Sequence, residues 1–494
     1  MTATDRRAAL AEALRGRLDA VAVLIEPETP ASSEEDTAAL LQRLAASVRR
    51  SGRADHAWLL FVGITGAYPD AGDLDELRRR LDLAAEGAAI VAALGATAPI
   101  AAAAQIGLRR LEIVEGAVLA DVDFCAKHEH NTGIQRVVRE TLSRWEQADR
   151  PVVTVAWTSD ASAWRRLTEA EADRVFHWSD RRRPAEVPAD DEAVIVPWNC
   201  RILLAEVPFQ HLLGRIAAVA RSSGNRVTAI GYDAIPLVSA EGQPSAESER
   251  FAHYLAAIKH ADHIIGISES AAEEFRGFVS ALPSQGLVGP RVTAIPLAVE
   301  VPRVELAPRE EGRRLVMCVG SHEPRKNQDA VLAAAEALYE EGERFELVFV
   351  GGGSRSATMR FDERVARLAR RGFQVSSHRR LSDERLFGLF AAARFSVFVS
   401  LHEGFGLPVA ESIALGVPVL TSDYGSLAEI AALGGCVTVD PRDDDAILEA
   451  MRRMLVDDEL IDTLREQAAA APRRGWNDYA DDLWSELTSE GVGA

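Results

Sequence analysis

The segment from Phe395 to Glu411, FSVFVSLHEGFGLPVAE, decides the fold class. The apolar run Phe395–Ser400 has the length and composition of a buried parallel strand, and Pro408 suits the first turn of a helix. Two glycines lie in the loop between them, so that the backbone there can approach a ligand closely. The same order of strand, loop and helix recurs along most of the chain. This pattern predicts an α/β fold with doubly wound parallel sheets, which bind ligands at the carboxyl ends of their strands.

Two carboxylates belong to this segment. Glu403 lies in the loop, and Glu411 falls in the first turn of the following helix. Two carboxylates on one ligand-facing loop are suited to bind hydroxyl groups. The alternative is that Glu411 only favours the helix N-terminus and that Glu403 is solvated. Spacing alone does not choose between these interpretations.

A second loop of the same kind carries positive charge. GSHEPRKN begins at Gly320, directly after the strand Leu315–Val319 and before the helix Gln328–Glu340. A glycine turn with Arg325 and Lys326 suits a diphosphate, because adjacent cations stabilise the charge that develops on a leaving group. The alternative is an ordinary helix start with two exposed cations.

Two more loops follow predicted strands. The first is NTGIQRVVR, residues 131–139, in which Arg136 and Arg139 are interpreted as charges on a helix surface. The second is GYDAIPL, residues 231–237, in which Asp233 is either an acceptor-side polar group or a turn residue before Pro236.

Taken together, these loops resemble the family 4 retaining glycosyltransferases with the GT-B fold, of the polysaccharide-assembly type. The resemblance covers residues 114–494 and rests on E-G-F-G-L-P-x-x-E, E-P-R-K-N and T-G-I-x-R. It implies two facing Rossmann-like domains and metal-independent transfer of a hexose from a nucleotide diphosphate sugar, with retention at the anomeric carbon. A nucleotide sugar is then the donor substrate, and no cofactor is expected.

The resemblance also implies roles for individual residues. Glu403 would contact the donor sugar near the reacting centre, and Asp233 and Tyr232 would lie on the acceptor side, so all three are expected to be catalytic. The expected donor-binding residues are Gly133, Gly320, Arg325, Lys326, Gly404, Phe405, Gly406, Leu407, Glu411 and Leu381. Two positions depart from the family pattern. Ser321 stands where some relatives have arginine, and Tyr232 stands where relatives often have histidine.

Four regions are predicted. They are an N-terminal α/β accessory region, an acceptor-side Rossmann-like domain, a nucleotide-sugar-binding Rossmann-like domain, and a C-terminal helix that crosses back to the acceptor-side domain, over residues 1–112, 113–300, 314–472 and 473–494. In the first region, Val21–Glu26 and Ala57–Thr65 are predicted to be strands because both are short apolar runs.

Composition excludes several classes of function. The net charge of −20 argues against a nucleic-acid partner. The four cysteines are far apart in sequence, so a zinc or redox site is not expected. No run approaches the ~20 apolar residues that span a bilayer, and no signal peptide is evident, so a cytoplasmic protein is expected. Asp121-Val122-Asp123 matches a D-x-D metal motif but lies at an early strand, where a structural role is favoured and no metal is expected.

The expected partners are a nucleotide-sugar donor and a glycan or other hydroxyl acceptor. A donor such as GDP-mannose is favoured, and UDP- and dTDP-sugars stay open. Peripheral membrane contact through a local basic patch and self-association also stay open. Two alternative functions are a non-catalytic nucleotide-sugar-binding scaffold and an epimerase or phosphorylase of the same fold. The first gains some support from the loss of histidine at Tyr232.

Overall fold

The structure is a computed structural model that describes residues 3–29, 31–32, 34–101, 106–131, 133–178, 193–302, 314–379 and 381–489. The helices are α1 Ala3–Ile25, α2 Thr37–Ser51, α3 Ala54–Thr65, α4 Ala71–Leu83, α5 Ala89–Ala101, α6 Asp123–Lys127, α7 Gly133–Gln147, α8 Glu169–Phe176, α9 Leu213–Ser222, α10 Ile235–Val238, α11 Ser245–Ile258, α12 Glu269–Ser280, α13 Gln328–Glu340, α14 Arg355–Arg370, α15 Asp383–Ala392, α16 Leu407–Ala414, α17 Gly425–Ala431, α18 Asp444–Val456, α19 Asp458–Ala470 and α20 Trp476–Thr488.

The strands are β1 Leu111–Glu115, β2 Val118–Asp121, β3 Val152–Trp157, β4 Trp164–Arg166, β5 Val194–Trp198, β6 Arg201–Leu204, β7 Arg226–Gly231, β8 His263–Gly266, β9 Arg291–Ala294, β10 Leu315–Val319, β11 Glu346–Val350, β12 Val375–His378, β13 Phe395–Phe398, β14 Val419–Ser422 and β15 Cys436–Val439.

The C-terminal half contains a six-stranded parallel sheet in the order β12-β11-β10-β13-β14-β15. Its central strands β10, β13 and β14 are almost entirely buried, because helices cover both faces of the sheet. All strands run the same way, so the loops that follow β10 and β13 meet at one edge. The prediction of a doubly wound sheet is confirmed here.

The middle of the chain forms a seven-stranded sheet in the order β4-β3-β2-β6-β7-β8-β9, in which only β4 is antiparallel. The strands β1 and β5 form a separate short parallel pair. The chain order reverses between β2 and β6, which defines the switch point of a doubly wound sheet. This sheet turns its carboxyl edge towards the C-terminal half, as the contacts of the site show.

The first hundred residues are helical, and the strands predicted over 21–26 and 57–65 are wrong. Residues 21–25 belong to α1, and residues 57–65 belong to α3. Every residue of α3 from His56 to Thr65 is buried, so its sequence shows no apolar periodicity. A short apolar run of this kind cannot be assigned to strand or helix by pattern alone. The predicted N-terminal α/β block is therefore an all-helical block among the described residues.

This helical block shares its core with the middle sheet. Trp58 packs on Tyr68, which in turn contacts Trp157 and Trp164 of the sheet. The Tyr68 hydroxyl donates a hydrogen bond to the carbonyl oxygen of Ile195. One continuous apolar cluster joins α1 to α5 with β3, β5, β6 and β7.

The chain crosses between the two halves twice, at residues 299–300 and 474–476. The crossings lie side by side, because the Val299 amide donates to the Arg474 carbonyl at 3.1 Å and the Trp476 amide donates to the Glu300 carboxylate at 2.9 Å. Helix α20 then packs against α7, with Trp476 and Tyr479 fully buried in the core below the middle sheet.

Candidate functional site

The loop after β13 carries the glycine-rich motif and is held on several sides. The backbone oxygen of Glu403 accepts a hydrogen bond from Ser426 at 2.8 Å, and that of Gly404 accepts one from Ser268 of the middle domain at 2.6 Å. Gly406 adopts φ 108°, which a residue with a side chain rarely adopts, and it serves as the N-cap of α16. Phe405 packs against apolar clusters of both halves. The loop therefore lies at the junction of the two sheets.

Glu403 is the centre of a buried ion cluster. Its carboxylate accepts hydrogen bonds from Lys326 at 2.5 Å and from Arg325 at 3.1 Å. The Glu403 side chain is only 9% exposed. Burial raises its pKa, but the two cations outweigh burial and hold the pKa below its ordinary value. The cluster combines an ionised carboxylate with two cations at the end of two adjacent strands.

The position of the two cations follows from the local backbone. Residues 324–326 form a single 3-10 turn, and Asn327 takes a left-handed conformation with φ 53° before α13 begins. The Arg325 carbonyl oxygen accepts a hydrogen bond from the Leu401 amide at 2.7 Å, which ties this loop to the one that carries Glu403. Neither cation is an exposed charge, contrary to the alternative interpretation of this motif.

Glu411 is buried at the start of α16, with 8% of the residue exposed. Its carboxylate accepts a hydrogen bond from Arg136 of the middle domain at 2.7 Å. Burial raises the pKa of Glu411, and Arg136 opposes this without cancelling it. The interpretation of Glu411 as a helix N-terminal charge alone is insufficient, because its partner comes from the other domain.

The loop after β7 brings Asp233 against the motif loop. Asp233 and the Tyr232 carbonyl lie so close to Gly404 that no side chain would fit at position 404. Burial raises the pKa of Asp233, and nearby Glu274 raises it further. The Tyr232 hydroxyl donates to the Ala205 carbonyl at 2.7 Å inside the domain, with 5% of the residue exposed. Tyr232 therefore presents no hydroxyl to the cleft, and its predicted catalytic role is not supported by this geometry.

The remaining expected donor-binding residues lie at the same junction or on the same edge. Gly133 begins α7 opposite Leu407, whose side chain is 3.8 Å from the position of a Cβ at 133. Gly320 adopts φ 145° directly after β10. Leu381 packs partly against an apolar cluster beneath β10 and β11. Thr132 of the quoted motif 131–139 lies outside the described residues.

Residues 305–471 match the family model of the glycosyl transferases group 1. Residues 305–471 thus form a group 1 glycosyltransferase domain. The resemblance stated from the motifs is thus confirmed for the glycosyltransferase domain that contains Glu403, Glu411 and Lys326.

Two curated relatives from Escherichia coli match the chain, one over a longer stretch and one at a higher identity. A serotype-specific mannosyltransferase, WbdA, is 27% identical over 335 residues, which cover 64% of this chain and 40% of the relative. O-antigen chain mannosyltransferase B is 36% identical over 180 residues, which cover 36% of this chain and 44% of the relative. The chain thus spans less than half the length of these relatives.

Solved structures support the GT-B fold of the chain. Sucrose-phosphate synthase from Thermosynechococcus elongatus superimposes with a TM-score of 0.53 at 17% identity, covering 75% of this chain and 99% of that chain. Anabaena HepE, solved in complex with UDP and glucose, gives a TM-score of 0.52 at 13% identity and covers 76% of this chain and 100% of that chain. At such identities the likeness establishes the shared GT-B fold.

Sequence reasoning missed two side chains that connect the two domains at this site. Arg136 was interpreted as a surface charge, but it pairs with Glu411. His402, directly before Glu403, bridges Ser239 at 2.7 Å and Glu274 at 2.5 Å, both in the middle domain. Both residues lie within quoted motifs, Arg136 in 131–139 and His402 in 395–411, and this was the signal that could have drawn attention to them. Arg139, by contrast, is buried and donates to backbone carbonyls of residues 128 and 130, which is a structural role.

The D-x-D string has a structural explanation. The Asp121 carboxylate accepts hydrogen bonds from the indoles of Trp157 at 3.1 Å and Trp164 at 3.2 Å. Burial raises its pKa to about 8. Asp123 pairs with Lys127 at 2.5 Å. Within the described ranges, no group of three or more potential ligands is arranged to hold a metal ion.

The four cysteines are free thiols, and three of them are buried. In the described part of the chain, no helix has both the length and the apolar character that a membrane-spanning helix needs.

Proposed function

We propose that this protein is a retaining glycosyltransferase that moves a sugar, most simply mannose, from a nucleoside diphosphate sugar to a hydroxyl group of a glycan acceptor. The observation that carries the proposal is the convergence of Lys326 and Arg325 on Glu403, on loops of a group 1 glycosyltransferase domain. The choice of mannose rests on the two relatives, which are named mannosyltransferases.

The cation cluster supplies the binding site for the diphosphate. In the structure, Glu403 neutralises Lys326 and Arg325. A diphosphate would take over part of this pairing, because phosphate oxygens accept charge-assisted hydrogen bonds from both cations. Glu403 would then be left to support the positive charge that develops on the sugar. In this scheme, Gly404 to Leu407 approach the sugar and phosphate with their backbone.

The reaction is a front-face displacement. The bond between the anomeric carbon and the terminal phosphate oxygen breaks, and the acceptor oxygen bonds to the anomeric carbon from the same face. The acceptor proton passes to an oxygen of the departing diphosphate. Lys326 and Arg325 stabilise the negative charge on the leaving group. Closure of the two domains over the site excludes water, which would otherwise hydrolyse the donor.

Glu411 is assigned to the ribose. A buried carboxylate with one oxygen bound to Arg136 has its other oxygen free to accept a ribose hydroxyl. Asp233 lies across the cleft from Gly404 and is assigned to the acceptor side.

The proposal is tested by the unfolding midpoint in GDP, UDP, dTDP and ADP, each with and without EDTA. A nucleotide at 100 times its dissociation constant stabilises the protein by about 2.7 kcal/mol. One base should stand out, and its effect should disappear in Lys326→Ala and survive EDTA. The sugar is then tested by nucleotide release from the matching mannose donor with and without a mannan acceptor. Release that needs no acceptor would contradict transfer, and binding without release would favour a scaffold.

A further inference from the structure

Arg136 lies between the carboxylate of Glu411 and the two interdomain crossings. One of its nitrogens donates to Glu411 at 2.7 Å, and another donates to the backbone oxygen of Glu300 at 3.1 Å. Its guanidinium lies 5.9 Å from the centre of the Trp476 ring. The side chain thus contacts the first crossing, the second crossing and the carboxylate at once.

The surroundings of Arg136 hold it in this position. Its side chain is 25% exposed, and it rises from the first turns of α7, which begins at Gly133 against Leu407. Two turns further along α7, Arg144 donates to the Glu300 carboxylate at 3.1 Å. Arg144 therefore supports the crossing without touching Glu411, which makes it a matched control.

We propose that Arg136 is the positioning residue for the nucleoside of the donor: it orients the Glu411 carboxylate from the opposite domain and couples ribose binding to the closed arrangement of the two domains. The inference rests on the proposed function, because it assigns the ribose to Glu411. It differs from a surface or purely structural role in that it makes ribose recognition depend on a residue of the other domain.

Two physical consequences follow. A guanidinium fixes the rotation of the carboxylate, so that the remaining oxygen has one direction available for a hydroxyl. It also favours the ionised form of a carboxylate that burial disfavours. The charged groups that face Glu411 are Arg136 from α7 and Asp383 from the start of α15, and Asp383 acts against ionisation. Without Arg136, Glu411 would therefore protonate at a higher pH and bind ribose more weakly.

The test compares two probes by calorimetry on the full chain: GDP or UDP, whichever binds the wild-type protein, and inorganic pyrophosphate, which has no ribose. Arg136→Met should weaken nucleotide binding about tenfold at pH 6.5, with partial recovery at pH 8.5, and leave pyrophosphate binding unchanged. Arg136→Lys should restore part of the affinity. Arg144→Met should bind both probes as the wild type does. Circular dichroism melts confirm that each variant is folded.

The outcomes separate the inference from the function on which it rests. If the wild-type protein binds none of GDP, UDP, dTDP and ADP, the proposed function fails. If it binds and Arg136→Met binds equally well, or if the variant loses nucleotide and pyrophosphate to the same extent, the positioning role is wrong. A loss of affinity that affects only the nucleotide, and that is smaller at pH 8.5 than at pH 6.5, supports the positioning role.

Discussion

At the scale of single residues, the site consists of charged side chains that pair with one another. Glu403 holds Lys326 and Arg325 in place, and Arg136 holds Glu411. Pre-organised charges of this kind need little rearrangement during reaction, which is how electrostatic stabilisation acts in enzymes. Exchange of the Glu403 carboxylate for a phosphate at the same cations is the step that the first prediction below probes.

Glu403→Gln should separate binding from turnover. The glutamine keeps the size of the side chain but no longer competes for Lys326, so affinity for the nucleotide should be retained or increased. Turnover should fall by about 10²–10³, the effect of removing one charge-stabilising group. Steady-state kinetics and calorimetry on the same preparation measure both. Lys326→Ala is the contrast, since it should lose affinity as well as turnover; equal turnover in wild type and Glu403→Gln would remove Glu403 from the mechanism.

Tyr232→Phe should leave turnover within about twofold of the wild type. Its hydroxyl donates to the Ala205 carbonyl in the interior and does not face the cleft. The loss of one buried hydrogen bond should cost about 1 kcal/mol of unfolding free energy. Denaturant titration and initial rates check the two expectations. A large drop in turnover with unchanged stability would restore the tyrosine to the site.

At the scale of elements, the loops at the carboxyl edges of the two sheets control how closely the domains approach. Gly404 lies against Tyr232 and Asp233 of the loop after β7, and Ser268 at the start of α12 binds its carbonyl oxygen. Glu429 of α17 also accepts hydrogen bonds from the first amides of α12. Glycine is required at position 404 because the loops after β13 and β7 approach each other closely there.

Gly404→Ala should hold the domains apart without unfolding either one. A methyl group at 404 would overlap the Tyr232 carbonyl oxygen, which is backbone and cannot move aside easily. Turnover should fall by at least about tenfold, as expected when a small misplacement disturbs the reacting geometry. Small-angle scattering should show a larger radius of gyration. Gly352→Ala is the control, because a Cβ there meets no atom within 4 Å; a variant at 404 as compact and active as this control would contradict the prediction.

At the scale of the whole molecule, a titratable pair of side chains connects the two domains. His402 of the C-terminal domain binds Glu274 of the middle domain at 2.5 Å. Burial lowers the pKa of His402, but Glu274, with Asp233 and Glu403, outweighs burial and raises the pKa above 6.5. Because the pKa is raised in the folded state, this pair stabilises the protein fully at acid pH and less as pH rises through that pKa.

His402→Gln should therefore be less stable than the wild type at pH 6 and equally stable at pH 9. A charged hydrogen bond of this kind contributes about 2 kcal/mol. Unfolding midpoints at a series of pH values for both proteins measure the difference. A difference that does not change between pH 6 and pH 9 would show that the histidine is not charged in the closed form.

The N-terminal helical block should be inseparable from the middle domain. Its helices share one apolar cluster with β3, β5, β6 and β7, so removing residues 1–108 would expose that cluster to water. A fragment of residues 109–494 should aggregate during expression. A fragment of residues 314–472, which contains its own apolar clusters, should be soluble and show a cooperative melt. A soluble, cooperatively folding 109–494 fragment would instead make the block an independent accessory unit.

The sequence by itself determined the strand–loop–helix order of residues 113–494 and the loops that carry the candidate site, because these features arise from local patterns. The strand 315–319 was predicted with the bounds that the structure has. The pattern was insufficient for α3, where burial on every side removes the periodicity that distinguishes helix from strand. The partners of the site residues were decided by the tertiary structure alone. Arg136 and Glu411 are 275 positions apart and meet only because two separately formed sheets dock edge to edge.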